Sequence, residues 1–314
     1  MMRSMCVGLT ALALAMTVAG ARAAAPTFSA SGIDDAMDLH GNPCNAQLVL
    51  FVSGNQWMVM PELLAEFRRE HPGIDRVFYE TLPPGVLAKQ LESGSLTVGE
   101  LSLSPAPDVF MSGARRMRSV VAQGLATAPV VYATNVIAIA VREGNPKHVE
   151  SLADLGRPGI RVAMPNPAFE GVGHKIEQAY RKAGGQQLVD RIMVGKVRDG
   201  TTILTEIHHR QTPLWLIEGR VDAGPLWLSE ALYQQRIGAP IETIRVPPRD
   251  NVTAHYEAAV VSRAPHATAA RDFVNFLSGQ RAREIFRSFG FGDERLSATR
   301  AAKRRAGAAI AVGS

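Results

Sequence analysis

The sequence predicts an α/β protein made of two doubly wound lobes with a ligand cleft between them. Three observations carry that prediction. Short apolar runs alternate with helical patterns along the chain, the mark of repeated βα units. The alternation restarts after Val141, which gives two blocks. The strands read as unbroken apolar runs, such as Asn135–Val141 (NVIAIAV), as expected of a sheet covered on both faces.

Taken in order, Gln47–Ser53 (QLVLFVS) is a buried strand, and Gly54-Asn55-Gln56 turns the chain into a helix over Trp57–Glu70. Pro61 is tolerated in its first turn, Leu63, Leu64 and Phe67 share one face, and His71-Pro72-Gly73 ends it. Arg76–Thr81 is a strand and Val86–Glu92 a short helix. Asp108–Met111 is a strand, Arg115–Gln123 a helix and Asn135–Val141 a strand. In the second block Ser151 caps a short helix, Ile160–Met164 is a strand, and a helix follows Glu170 with Val172, Ile176 and Tyr180 on one face. Gln187–Val194 and Thr212–Glu218 read as helices, and Asp222–Leu228 as a strand. A helix opens at Ser229 and ends near Gly238. Ile241–Val246 and Tyr256–Val261 are strands, and helices over His266–Leu277 and Gly279–Ser288 close the fold.

The ends of the chain differ from its body. Arg3, the apolar run Cys6–Gly20 and the small-residue site Ala21-Arg22-Ala23 read as a signal peptide over residues 1–25, cleaved near Ala23. The run has 15 residues, too few for a comfortable membrane span. The expected location is therefore the periplasm. Residues 293–314 form a basic Ala/Gly-rich tail. Of the 34 Lys and Arg residues, Arg3 and Arg22 lie in the leader and Arg300, Lys303, Arg304 and Arg305 in residues 300–314, leaving 28 basic residues against 29 acidic ones. A near-neutral body argues against nucleic-acid binding. Cys44 is the one cysteine after cleavage, which excludes an internal disulfide in the mature chain and a thiolate metal cluster.

No nucleophile elbow, zinc-protease helix, phosphate-cradling loop or dinucleotide fingerprint occurs, so no enzyme activity and no cofactor are expected. In open α/β sheets, ligands lie beyond the carboxyl ends of strands, where helices begin.

Five segments carry a family resemblance. LVLFVSGNQWMVMPELLAEFRREHPGI, VLAKQLESG with PDVFMSG, NVIAIAV, LIEGRVDAGPLWLSEAL and FLSGQRAREIFRSFGF follow one another from Leu48 to Phe291. Together they resemble the molybdate-binding proteins of ABC importers, which have the type II periplasmic binding protein fold. The resemblance implies lobe 1 over 46–133 and 239–292, lobe 2 over 134–238, and crossovers near Thr134 and Gly238. It implies a monomer that captures a molybdate- or tungstate-like oxyanion and delivers it to an inner-membrane ABC permease.

The implied ligand-binding residues are Ser53, Asn55 and Gln56, then Gly85 and Val86, Glu170 and Gly171, His209 and Arg210, and Trp227. The side chains differ from the family pattern. Asn55 stands for the first serine, Pro83-Pro84 for a serine pair, and Trp227 for a tyrosine. Three readings of Glu170 stay open: a residue favouring its own helix start, a ligand of a metal centre, or a contact to a cationic solute. His208 and His209 cap a helix start or, with Glu170 across the cleft, form a transition-metal site. The remaining alternatives are a metal complex, a small organic solute, or a periplasmic sensor that reports its ligand to another protein.

Overall fold

The computed structural model describes residues 38–98, 101–168, 170–206 and 208–292. The expected signal peptide with its cleavage site, and the basic tail, lie outside them. A ten-stranded mixed sheet organises the chain. Its strands are β1 (Leu39–His40), β2 (Leu48–Val52), β3 (Val77–Glu80), β6 (Val109–Gly113), β7 (Val130–Arg142), β8 (Val162–Met164), β9 (Thr202–Leu204), β10 (Ala223–Trp227), β11 (Ile241–Arg245) and β12 (Thr253–Val260). A separate antiparallel pair, β4 (Leu96–Val98) and β5 (Leu101–Leu103), stands apart from it. The helices are α1 (Met60–Glu70), α2 (Pro84–Ser93), α3 (Ala114–Ala122), α4 (Gly171–Asp190), α5 (Lys196–Arg198), α6 (Gln211–Ile217), α7 (Leu228–Arg236), α8 (Ala267–Leu277) and α9 (Gln280–Ser288).

The strand order is β1-β3-β2-β6-β12-β7-β10-β8-β9, with β11 also on β7. β2 runs parallel to β3 and β6, and β8 runs parallel to β9 and β10, as the βα alternation predicts. The centre is antiparallel instead. β12 opposes both β6 and β7, and β7 opposes β10 and β11. The sequence does not reveal this, because a strand buried on both faces is equally apolar in either direction.

The 13-residue β7 joins the two halves. Val130–Val136 pairs with β12, whereas Ile137–Val141 pairs with β10. The first change of side therefore falls two residues past the expected Thr134. Gly238, the second expected crossover, lies just before β11. β11 still pairs with Ala138–Arg142, and the chain returns to the first half only at Thr253.

Helices cover both faces. Leu63, Leu64 and Phe67 of α1 are buried, and Phe67 packs on Phe273 and Phe276 of α8 at 5.0 and 5.4 Å between ring centres. Burying each such side chain contributes about 1.5–3 kcal/mol. The helix expected from Trp57 begins at Met60, because Gly54–Gln56 form a 3-10 turn first. α4 is broken at Gly184 and Gly185, and the φ of 67° at Gly185 is one that glycine adopts without a Cβ clash.

Candidate functional site

Where the two halves meet, the chain buries an unusual number of polar groups. Glu170 precedes α4 in extended conformation, and its carboxylate turns toward the segment before α6. It accepts hydrogen bonds from the His209 backbone N–H at 2.6 Å, from His209 Nδ1 at 2.6 Å, and from the Thr205 hydroxyl. On the other side of the ring, His209 Nε2 meets Glu230 Oε1 at 2.8 Å. Glu230 sits in the first turn of α7. All three side chains are at most 9 % exposed.

Both ring nitrogens of His209 face carboxylate oxygens, so both carry protons. Burial alone pulls its pKa down, but the charges of Glu230 and Glu170 outweigh burial and raise it to about 10. The same pairing acts on Glu170. Burial pushes its pKa up, yet the His209 charge and the three donated hydrogen bonds hold it below the usual carboxylate value. His208 behaves in the opposite way. Its ring centre lies 3.9 Å from that of His209, tilted by 34°, and its Nδ1 accepts the Arg210 N–H at 3.2 Å. Burial and the neighbouring charges of His209 and Arg210 hold it neutral, far below the usual imidazole value.

Arg210 connects this cluster to the first half-sheet. Its Nη2 donates to the Gly54 carbonyl at 2.9 Å, and its guanidinium lies 3.5 Å from Asp38 Oδ1 and over the Trp57 ring. Close approach explains the glycine: a Cβ on Gly54 would stand 2.8 Å from the Thr81 carbonyl and 3.3 Å from Arg210 Nη2. The neighbouring residues are also engaged. Asn55 Nδ2 donates to the Tyr256 hydroxyl, Gln56 Oε1 accepts from Tyr132 at 2.6 Å, and Asn135 Nδ2 donates to Ser229 at 2.8 Å. Burial is the main cause of the raised hydroxyl pKa values of Tyr132 and Tyr256.

The structure thus gathers Glu170, His208, His209 and Arg210 and sets Gly54-Asn55-Gln56 against them. Trp227 is buried and meets the edge of Tyr256 at 6.3 Å. Other expected residues are not part of this cluster. Ser53 gives its hydroxyl to the Met111 carbonyl at 3.1 Å. The Val86 N–H is bonded to the Pro83 carbonyl at 2.9 Å, Gly85 lies beside Arg116, and Gly171 is exposed. The sequence reading missed Glu230, Thr205, Asp38, Tyr132 and Tyr256. Glu230 carries the one available signal, an acidic residue in the first turn of the helix that Trp227 precedes.

The metal reading meets a chemical obstacle. Ligand atoms of Glu170, His208 and His209 lie within 4.8 Å of one another, a spacing that suits an ion. Proximity favours a metal, whereas the hydrogen bonds of His209 to Glu170 and Glu230 oppose it, so an ion binding there would have to displace a proton from His209. An imidazolium bonded to carboxylates on both sides has no lone pair to give, which leaves two donors.

The family model for bacterial extracellular solute-binding proteins matches residues 48–292. The chain belongs to that family. It is a solute-binding protein, not an enzyme. It is 28% identical over 246 residues to the "Molybdate-binding protein ModA" of Mycobacterium tuberculosis, a match covering 78% of this chain and 84% of that one. Two solved structures share the two-lobed fold. The sulfate-binding protein SubI of Mycobacterium tuberculosis has a TM-score of 0.65 at 20% identity, covering 78% of this chain and 85% of that one. The periplasmic molybdate-binding protein of Azotobacter vinelandii has a TM-score of 0.62 at 17% identity, covering 78% and 98%.

Proposed function

We propose that this solute-binding protein is the periplasmic receptor of an ABC importer and that its ligand is a small oxyanion, in the class that includes molybdate, tungstate and sulfate. The observation that carries this reading is the coordination of Glu170. The His209 N–H, the protonated His209 ring and the Thr205 hydroxyl converge on one carboxylate, and the Arg210 cation adjoins them. The meeting place of the two halves is therefore chemically suited to negative oxygen. The same protonation of His209 speaks against the cation and metal alternatives. The names of the relatives support the oxyanion class, since one is a molybdate-binding and another a sulfate-binding protein.

Glu170 itself is no obstacle to an anion. The His209 N–H, the His209 ring and the Thr205 hydroxyl that meet it are donors, and its charge is matched by His209. Calorimetric titration with molybdate, tungstate, sulfate, phosphate and divalent metal ions tests the reading. Saturable binding of an oxyanion is the expected result. Binding of a divalent metal with no response to any oxyanion would refute it.

A further inference from the structure

We propose that the two halves turn about Ile137 and that Asn251 is the positioning residue of that pivot, its side chain holding the returning chain against β7. The strand register locates the pivot. β11 pairs along β7 from Arg142 to Ala138, and β12 takes over at Val136. Ile137 is the residue of β7 that lies between these two ladders. The opposing chain uses residues 246–252 for the same step, so this linker is pushed out of the sheet at Ile137. At the same residue β7 leaves β12 and joins β10. Both β7 and the returning linker therefore cross between the halves at one place. Pro247 and Pro248 lie in the linker and have no N–H to offer a neighbouring strand.

At that gap a side chain takes the place of a strand. Asn251 Oδ1 accepts the Ile137 N–H at 2.9 Å, and Asn251 Nδ2 donates to the Ile137 carbonyl at 2.7 Å. The amide thus bonds Ile137 as a paired backbone would. The same group also closes the linker on itself. Oδ1 accepts the Val252 N–H at 2.8 Å, and Nδ2 donates to the Val246 carbonyl at 3.2 Å. Both donors and the acceptor of the side chain are satisfied, and Asn251 is 7% exposed. Aspartate would have the shape but no donor for the two carbonyls.

A further bond ties the linker to the candidate site. Lys182 Nζ donates to the Asn251 carbonyl at 2.6 Å. Lys182 lies on α4, about three turns after Glu170 precedes that helix. The helix is unbroken between them, because its non-helical residues are Gly184 and Gly185. A displacement of α4 at its Glu170 end is carried to the linker by this bond. With the amide in place, the halves swing as two bodies on one short stretch of backbone. Without it, β7 and the linker become separate tethers, and the halves take up a broader range of separations.

Small-angle scattering and amide hydrogen exchange on the full chain, with no ligand added, test the proposal. Asn251→Ala removes every bond of the side chain. It is expected to enlarge the radius of gyration and to speed exchange of the Ile137 amide at least about tenfold. Leu64→Ala, in the buried face of α1, serves as the control for lost stability: it should lower the melting temperature and leave the radius at the wild-type value. A folded Asn251→Ala protein with the wild-type radius, or with unchanged Ile137 exchange, overturns the proposal whatever its melting temperature. A control that expands equally also overturns it, since expansion would then report lost stability alone. If Asn251→Ala does not fold, Asn251→Asp takes its place, keeping the acceptor and losing the two donated bonds. An unchanged radius in that variant overturns the proposal in the same way.

Discussion

Replacing Glu170 by Gln removes one of the two charges that hold His209 protonated. The raised pKa of His209, about 10 against an ordinary 6.5, sets the scale. At about 1.4 kcal/mol per unit, the surroundings favour the imidazolium by roughly 5 kcal/mol after the cost of burial. Glu230 and Glu170 supply most of it, so losing the Glu170 charge should destabilise the protein by about 2 kcal/mol near pH 6. The sign of the pH dependence follows from the direction of the shift. A histidine raised on folding contributes in full below its unfolded value of about 6.5 and loses the contribution as pH rises through about 10. Urea denaturation of both proteins from pH 6 upward should show a gap that is widest at the acidic end and closes toward pH 10. Groups common to both proteins cancel in the difference. A gap independent of pH would refute the coupling and reduce Glu170 to a hydrogen-bond acceptor.

Glu80 gives a second pH effect of opposite origin. It is fully buried, receives one bond from Gln90 at 3.0 Å, and is pushed up to about 7 by burial, which that bond only partly offsets. A raised carboxyl costs nothing below about pH 4.5 and its full penalty above about 7, so Glu80→Gln should gain on the wild type by about 3 kcal/mol between those limits in urea melts. A constant difference would contradict it. Arg210→Met takes the cation from Asp38 and a donor from the Gly54 carbonyl, and should cost about 3 kcal/mol in stability. Small-angle scattering should also show a larger radius of gyration if Arg210 holds the halves together; an unchanged radius would exclude that role. Gly54→Ala places a methyl 2.8 Å from the Thr81 carbonyl and should lower the melting temperature by several degrees. An unshifted melt would show that the Arg210 contact does not need the glycine.

Periodicity and turn residues exposed most of the helices, since α1, α3, α8 and α9 each bury one stripe. Among strands shorter than four residues β8 was read, but β1, β4, β5 and β9 escaped. β1 and β9 hold two and three residues and show no repeat to count. The direction of β7 against its neighbours and the return through β12 were equally hidden, because side chains on a doubly covered strand do not record pairing. At the site, the meeting of Glu170 with His209 was legible from helix starts. The protonation of His209 was not, because it depends on Glu230, brought close by the fold of α7 onto β10. Asp38 precedes every regular element among the described residues and joins the site through Arg210.

The position of β12 has a consequence for how the chain acquires its structure. β12 lies between β6 and β7, so these two strands never touch through hydrogen bonds until residues 253–260 are present. A nascent chain ending before Thr253 holds β6 with a bare edge, and the first stretch of β7 likewise. The second half, in contrast, can pair β7 with β10 and β10 with β8 from nearer segments. Assembly should accordingly begin in the middle of the chain and finish when its late segment inserts to zip the early strands onto the rest, a closure of high contact order and slow rate. Until that insertion, two exposed edges invite pairing with other chains, and the speed of the last step sets how long the molecule stays vulnerable to aggregation.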